Sequence, residues 1–158
     1  IFKSILDKVK RIPGDKYCEH KIGLTKDLEP CGFFDDNVWW RGILDLVVID
    51  KDKKLATVID YKTGKSSQYA DTRQLSLMSV GVFKHFPEVE SIKSALMFLV
   101  SKELIKEDYN SEKVEEMFEE WGKITHRIDV AYQTNVFNAT PNFGCRWCPV
   151  ASCPHNGK

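Results

Sequence analysis

Apolar and polar positions change period along the chain, and each change marks an element. In the first twelve residues the apolar positions are 1, 2, 5, 6, 9 and 12, a helical spacing that stops at Pro13-Gly14. Tyr17–Leu28 reads as a strand carrying Glu19 and His20, and Pro30-Cys31-Gly32 and Asp35-Asp36-Asn37 read as turns. After Trp39-Trp40 come two apolar runs, Ile43–Ile49 and Leu55–Ile59, with the polar loop Asp50–Lys54 between them. Their Val, Ile and Leu content suits buried strands joined as a hairpin. Thr63-Gly64-Lys65-Ser66-Ser67 breaks the second run. Gln68–Phe86 follows as a helix with a broad apolar stripe from Tyr69 and Leu75 through Met78, Val82 and Phe83 to Phe86, ended by Pro87. Ser94–Val100 is an apolar strand, and Ser111 to about Asn135 is a long helix with Val114, Met117, Phe118, Trp121, Ile124 and Ile128 on one side. Pro141–Lys158 is a loop-rich tail. The order predicts a single α/β (α+β) domain over 1–158, a mixed sheet flanked by helices, with no repeat and no linker to divide it.

Three ionisable residues break the apolar pattern of the hairpin: Asp45, Asp60 and Lys62. A charge among apolar strands is costly unless it is paired or bound to a metal. Alternation puts Asp60 and Lys62 on one face of their strand and Tyr61 on the other. A hairpin closed by Lys51–Lys54 pairs Ile49 with Ala56, and the same register sets Asp45 opposite Asp60. Directly opposed carboxylates about 5 Å apart at Cβ repel unless one is protonated or a cation lies between them. Hard oxygen ligands open to water favour Mg²⁺ or Mn²⁺, and Lys62 then stands where a phosphate would meet it. The plainer reading of the trio is a structural salt bridge on a sheet face. Gly64-Lys65-Ser66 is not a phosphate-binding P-loop, because the position five before Gly64 is Ile59 rather than glycine.

Gly42-Ile43-Leu44-Asp45 followed by Asp60-Tyr61-Lys62-Thr63-Gly64 resembles the core of the PD-(D/E)XK nuclease superfamily, with the closest likeness to its RecB/Cas4-like exonuclease branch. Gln74 matches the glutamine of that branch's QxxxY motif, whose tyrosine position holds Met78 here. Cys145, Cys148 and Cys153 resemble the branch's cysteine cluster, so the likeness spans roughly Glu19 to Cys153. The resemblance implies a restriction-endonuclease-like core and a Mg²⁺-dependent DNA exonuclease acting on single strands or duplex ends. It implies that Asp45, Asp60 and the carbonyl of Tyr61 hold the metal, and that Lys62 orients or helps deprotonate the attacking water. Gln74 joins the catalytic set. Glu19 stands where related nucleases often carry a further acid or a histidine upstream of the glycine-aspartate motif. Lys65 and Arg73 are near enough to meet DNA phosphates. The cysteines, spaced C-x2-C-x4-C, imply a [4Fe–4S] cluster or zinc pinning the tail at about 141–158; a fourth ligand is Cys18, Cys31 or His155, and unliganded thiols are the alternative. Recombination, repair, replication or phage DNA metabolism is the implied setting, in the cytoplasm of a bacterium or under phage control.

Composition changes this picture little. Among 158 residues, 23 are basic and 23 acidic, so no diffuse attraction to polyanions exists and any nucleic-acid contact rests on a local patch. Five cysteines, three of them clustered, suit metal binding in a reducing compartment better than a disulfide framework. No apolar run is long enough to span a membrane. The chain begins at Ile1 rather than Met, which suits a trimmed chain or a piece of a longer protein. Two rival readings remain: a catalytically silent nucleic-acid-binding module, and a nuclease subunit that works with a helicase or recombination partner. The pair Trp39-Trp40 suits either base stacking or, more simply, core and edge packing.

Overall fold

The two apolar runs of the hairpin form the centre of a six-stranded sheet. The computed structural model of the chain describes residues 2–64, 67 and 70–157. Its elements are α1 (Phe2–Lys10), β1 (Asp15–Leu24), β2 (Pro30–Cys31), β3 (Trp40–Asp50), β4 (Leu55–Lys62), α2 (Arg73–His85), β5 (Ser91–Phe98), β6 (Leu104–Asn110) and α3 (Val114–Thr134), with a 3-10 turn over Ser111–Lys113 and another over Phe143–Trp147. The sheet order is β2-β1-β3-β4-β5-β6. Every pairing is antiparallel except β4 with β5, which α2 connects as a crossover. The architecture is a mixed α+β sheet with helices, as the residue pattern predicts.

Two compact units make up the chain, residues 1–121 and 122–158. In the first, α2 covers one sheet face: Val80, Val82 and Phe83 pack with Ile22, Leu24, Leu44, Val47, Ile49, Ala56 and Val58, joined by Val114 and Met117 of α3. The other face carries Leu46, Val48 and Ile59, met by Val9, Ile12, Tyr61 and Met97. Burying this many aliphatic side chains, at roughly 1.5–3 kcal/mol each, is the main stabilising term. Trp39 and Trp40 both make packing contacts. Trp40 lies against the α2-side core, and Trp39 meets Phe118 edge-to-face at 5.4 Å.

Four boundaries differ from the sequence reading. The first strand stops at Leu24, and Pro30–Cys31 pairs with it as a short edge strand instead of a turn. The helix expected from Gln68 begins at Arg73; Gln68 and Tyr69 lie outside the described residues. The strand expected over Ser94–Val100 runs Ser91–Phe98. A sixth strand, Leu104–Asn110, was not expected, because its Lys, Glu and Asp residues mask the alternation of an edge strand.

Candidate active site

The hairpin register is the expected one, Ile49 opposite Ala56, and the ladder continues to Leu46 opposite Ile59. It stops one rung before Asp45 and Asp60. There the Tyr61 amide donates to Asp45 Oδ2 at 2.7 Å, so a side chain takes the place of a ladder carbonyl. The bond fixes the Asp45 carboxylate beside the backbone that carries Asp60.

A second irregularity lies across β3. The β1–β3 register keeps Cys18 with Leu46 and His20 with Leu44, but the rung between them, Glu19 with Asp45, is absent. Glu19 has φ 49°, an uncommon left-handed backbone for a residue with a side chain. Tyr17 and His20, three residues apart, face the same side, with rings 5.0 Å apart and both against Phe86. Leu44 and Val47, also three apart, share the α2-side core. Side-chain alternation therefore flips in both strands at one rung, as in a pair of facing bulges. The break falls on Asp45, which is half-buried, and Glu19, which is exposed.

On β4 alternation is regular. Val58 is in the α2-side core and Tyr61 packs on the opposite face, which places Asp60 and Lys62 under α2. Asp60 is only 7% exposed. Lys62 Nζ lies 2.7 Å from Asp60 Oδ2 and donates to Gln74 Oε1 at 3.1 Å. The Lys62–Asp60 approach has ion-pair distance but not hydrogen-bond direction, so Oδ2 is a buried carboxylate oxygen without a donor. Such an atom is costly to keep unless a further cation meets it. Gln74, in the first turn of α2, is half-buried and aims Lys62. Met78 is one turn further along and packs on the core.

Asp45 and Asp60 suit a hard divalent cation. Mg²⁺ is usually held by one or two carboxylates, with water and substrate phosphate supplying the rest, so two acids suffice. Among the described residues no group of three His, Cys, Asp or Glu is placed to hold a metal. Glu19 therefore shares the broken rung with Asp45 without joining Asp45 and Asp60 as a third ligand.

The remaining candidates fall elsewhere. Arg73 is exposed and grips Asp71 with two nitrogens, Nε at 2.9 Å and Nη2 at 2.5 Å, which holds the Asp71 carboxyl down at about 2. Lys65 lies outside the described residues. In the second unit Cys145, Cys148 and Cys153 are free thiols, and they do not form a ligand group. Cys145 Sγ instead accepts the Asn142 amide at 3.4 Å, and Asn142 caps the 3-10 turn through Gly144 N–H at 2.8 Å. The Tyr61 phenol is raised by burial, then by nearby Cys18 and Asp45.

Two features had no sequence signal. One is the Tyr61 amide as the holder of Asp45. The other is Glu103, which accepts from the Ser67 amide and the Ser101 hydroxyl at 3.1 Å each, bonds that lower its carboxyl pKa and hold Ser67 to it.

Comparison with known proteins follows this geometry. The family model of the PD-(D/E)XK nuclease superfamily matches residues 9–154. No curated protein matches the chain. A solved structure titled "Crystal structure of SSO0001" aligns with a TM-score of 0.42 at 12% identity, over 98% of this chain and 68% of that one.

Proposed function

From the premise that the chain belongs to the PD-(D/E)XK nuclease superfamily, we propose that it is a metal-dependent deoxyribonuclease that hydrolyses DNA phosphodiester bonds as an exonuclease of the RecB/Cas4-like type. Members of this superfamily generally use a divalent metal such as Mg²⁺. The observation that carries the reading is the buried, donorless Oδ2 of Asp60 beside Lys62, with Asp45 tied to the next residue's amide.

Asp45 and Asp60 are the proposed metal holders, with the Tyr61 carbonyl beside them. A divalent cation held there would polarise the phosphate and lower the pKa of a bound water, which favours its hydroxide form as the nucleophile. As an ammonium Lys62 orients that water and offsets the charge that grows on the phosphate oxygens; only in its neutral form would it take the proton of the water. Gln74 fixes where the Lys62 ammonium points. No helix among the described residues is long and apolar enough to cross a membrane. Processing of ends in recombination, repair, replication or phage DNA metabolism is the setting we favour.

The test is a cleavage assay on 5′- and 3′-labelled single- and double-stranded DNA with Mg²⁺, Mn²⁺ or EDTA. Wild type should release label only with metal, and Lys62→Ala should be at least a hundredfold slower while keeping its fold by circular dichroism. Equal rates for the two proteins would sink the mechanism. Internal fragments in place of short end products would replace exonuclease with endonuclease.

A further inference from the structure

Outside this site one surface cluster combines exposed aromatic rings with cations. Phe33 and Phe34 follow the end of β2 and meet edge-to-face at 4.9 Å. Phe34 is 74% exposed. Lys21 Nζ lies 5.6 and 5.5 Å from the two ring centres, and the Arg41 guanidinium 5.2 and 5.9 Å. Arg41 also donates to the Phe33 carbonyl at 3.4 Å.

The loop is built to hold these rings in place. Asp35 Oδ2 accepts the Gly32 amide at 2.6 Å, the Gly32 carbonyl accepts the Asp35 amide at 3.2 Å, and the Asp35 carbonyl accepts the Val38 amide at 3.1 Å. The Trp39 amide then closes onto the Leu24 carbonyl at 2.9 Å. A large apolar ring held this firmly in water gains nothing for the fold, since it leaves its area unburied.

The geometry points to a stacking platform for unpaired bases, Phe33 and Phe34 taking the base faces and Lys21 and Arg41 the flanking phosphates. Aromatic rings beside cations are how sequence-tolerant single-strand binding is built. Arg41 and Asp45 are both on β3, four residues apart, about 13 Å along the strand and about four nucleotide steps of a helical strand. Lys21 sits two rungs from Arg41, opposite Ile43. Trp40 and Leu44 face α2, so alternation turns Arg41 and, opposite Ile43, Lys21 to the other side of the sheet from Asp60 and Lys62; the platform is therefore a contact separate from the pocket of the acids. The inference rests on the nuclease reading and adds a single-strand subsite to it.

Binding in EDTA separates the two. Fluorescence anisotropy would compare a 12-nucleotide single strand, an abasic strand of equal length and a duplex, using wild type, Phe34→Ala and Phe34→Trp. Phe34→Ala should weaken the base-bearing single strand by about five- to tenfold, leave the abasic strand and the duplex unchanged, and be rescued by Phe34→Trp. Because Phe34 is exposed, the alanine variant should fold as wild type does. Unchanged single-strand affinity, or equal loss on the abasic strand, would overturn the platform while metal-dependent cleavage by wild type left the nuclease reading standing. Absence of both binding and cleavage by wild type would overturn both.

Discussion

Asp60 carries the local tension of this protein. A buried carboxylate with one oxygen lacking a donor is tolerated beside Lys62 because the ammonium neutralises it without capping it. That leaves Lys62 with two holds, Asp60 and Gln74, and the direction of its protons depends on both. Gln74 is then a positioning residue. Gln74→Ala should lower kcat by roughly tenfold to a hundredfold, the scale of an ångström-level misplacement, with KM nearly unchanged. Steady-state kinetics on an end-labelled strand would check this. A change confined to KM would mean that Gln74 binds substrate instead. Arg73 illustrates a different case: Asp71 takes its Nε and Nη2, so a phosphate would be met by the N–H groups that remain.

At the scale of elements, the site depends on how closely α2 can lie on the sheet. Gly81 faces it, and a Cβ there would meet Ile22 Cδ1 and lie 2.9 Å from the Trp40 ring. Gly81→Ala should therefore cost about 1–3 kcal/mol by overpacking, read as a lower midpoint in urea. An unchanged midpoint would show that Ile22 and Trp40 shift freely. This contact also shows what was legible beforehand. The β3–β4 hairpin, its register and the common face of Asp60 and Lys62 follow from two aliphatic runs, a four-residue loop and the two-residue period, all local properties. The tight fit at Gly81 has no signal in the helix pattern, because only the folded sheet brings Trp40 to it. The flip at Glu19 and Asp45 was equally hidden, since both strands break alternation at one rung and period-two reasoning assumes neither does. The strand Leu104–Asn110 was missed because one face meets solvent with charged residues. The start of α2 was placed too early because an apolar stripe says nothing of where the first helical turn closes. The cysteine spacing carried no sign of the local contact in which Cys145 Sγ accepts the Asn142 amide.

For the molecule as a whole, charge decides how DNA would be met. Equal numbers of basic and acidic residues cancel long-range attraction, so binding has to come from short-range contacts. The cations at the two candidate contacts are few: Lys62 at the site, and Lys21 and Arg41 beside half-buried Phe33 and exposed Phe34. Single-strand binding releases about 0.7 counterions for each phosphate contacted, so three contacts predict a slope of about −2 in log affinity against log salt. That is shallow for a nucleic-acid-binding protein. Titrations of a 12-nucleotide strand from low to moderate salt in EDTA would measure it. A slope of about −4 or steeper would mean that a wider basic surface takes part than these three residues supply. A slope near the predicted value, together with loss of affinity in Phe34→Ala, would mean that base stacking carries a share of the binding that a neutral protein cannot draw from charge.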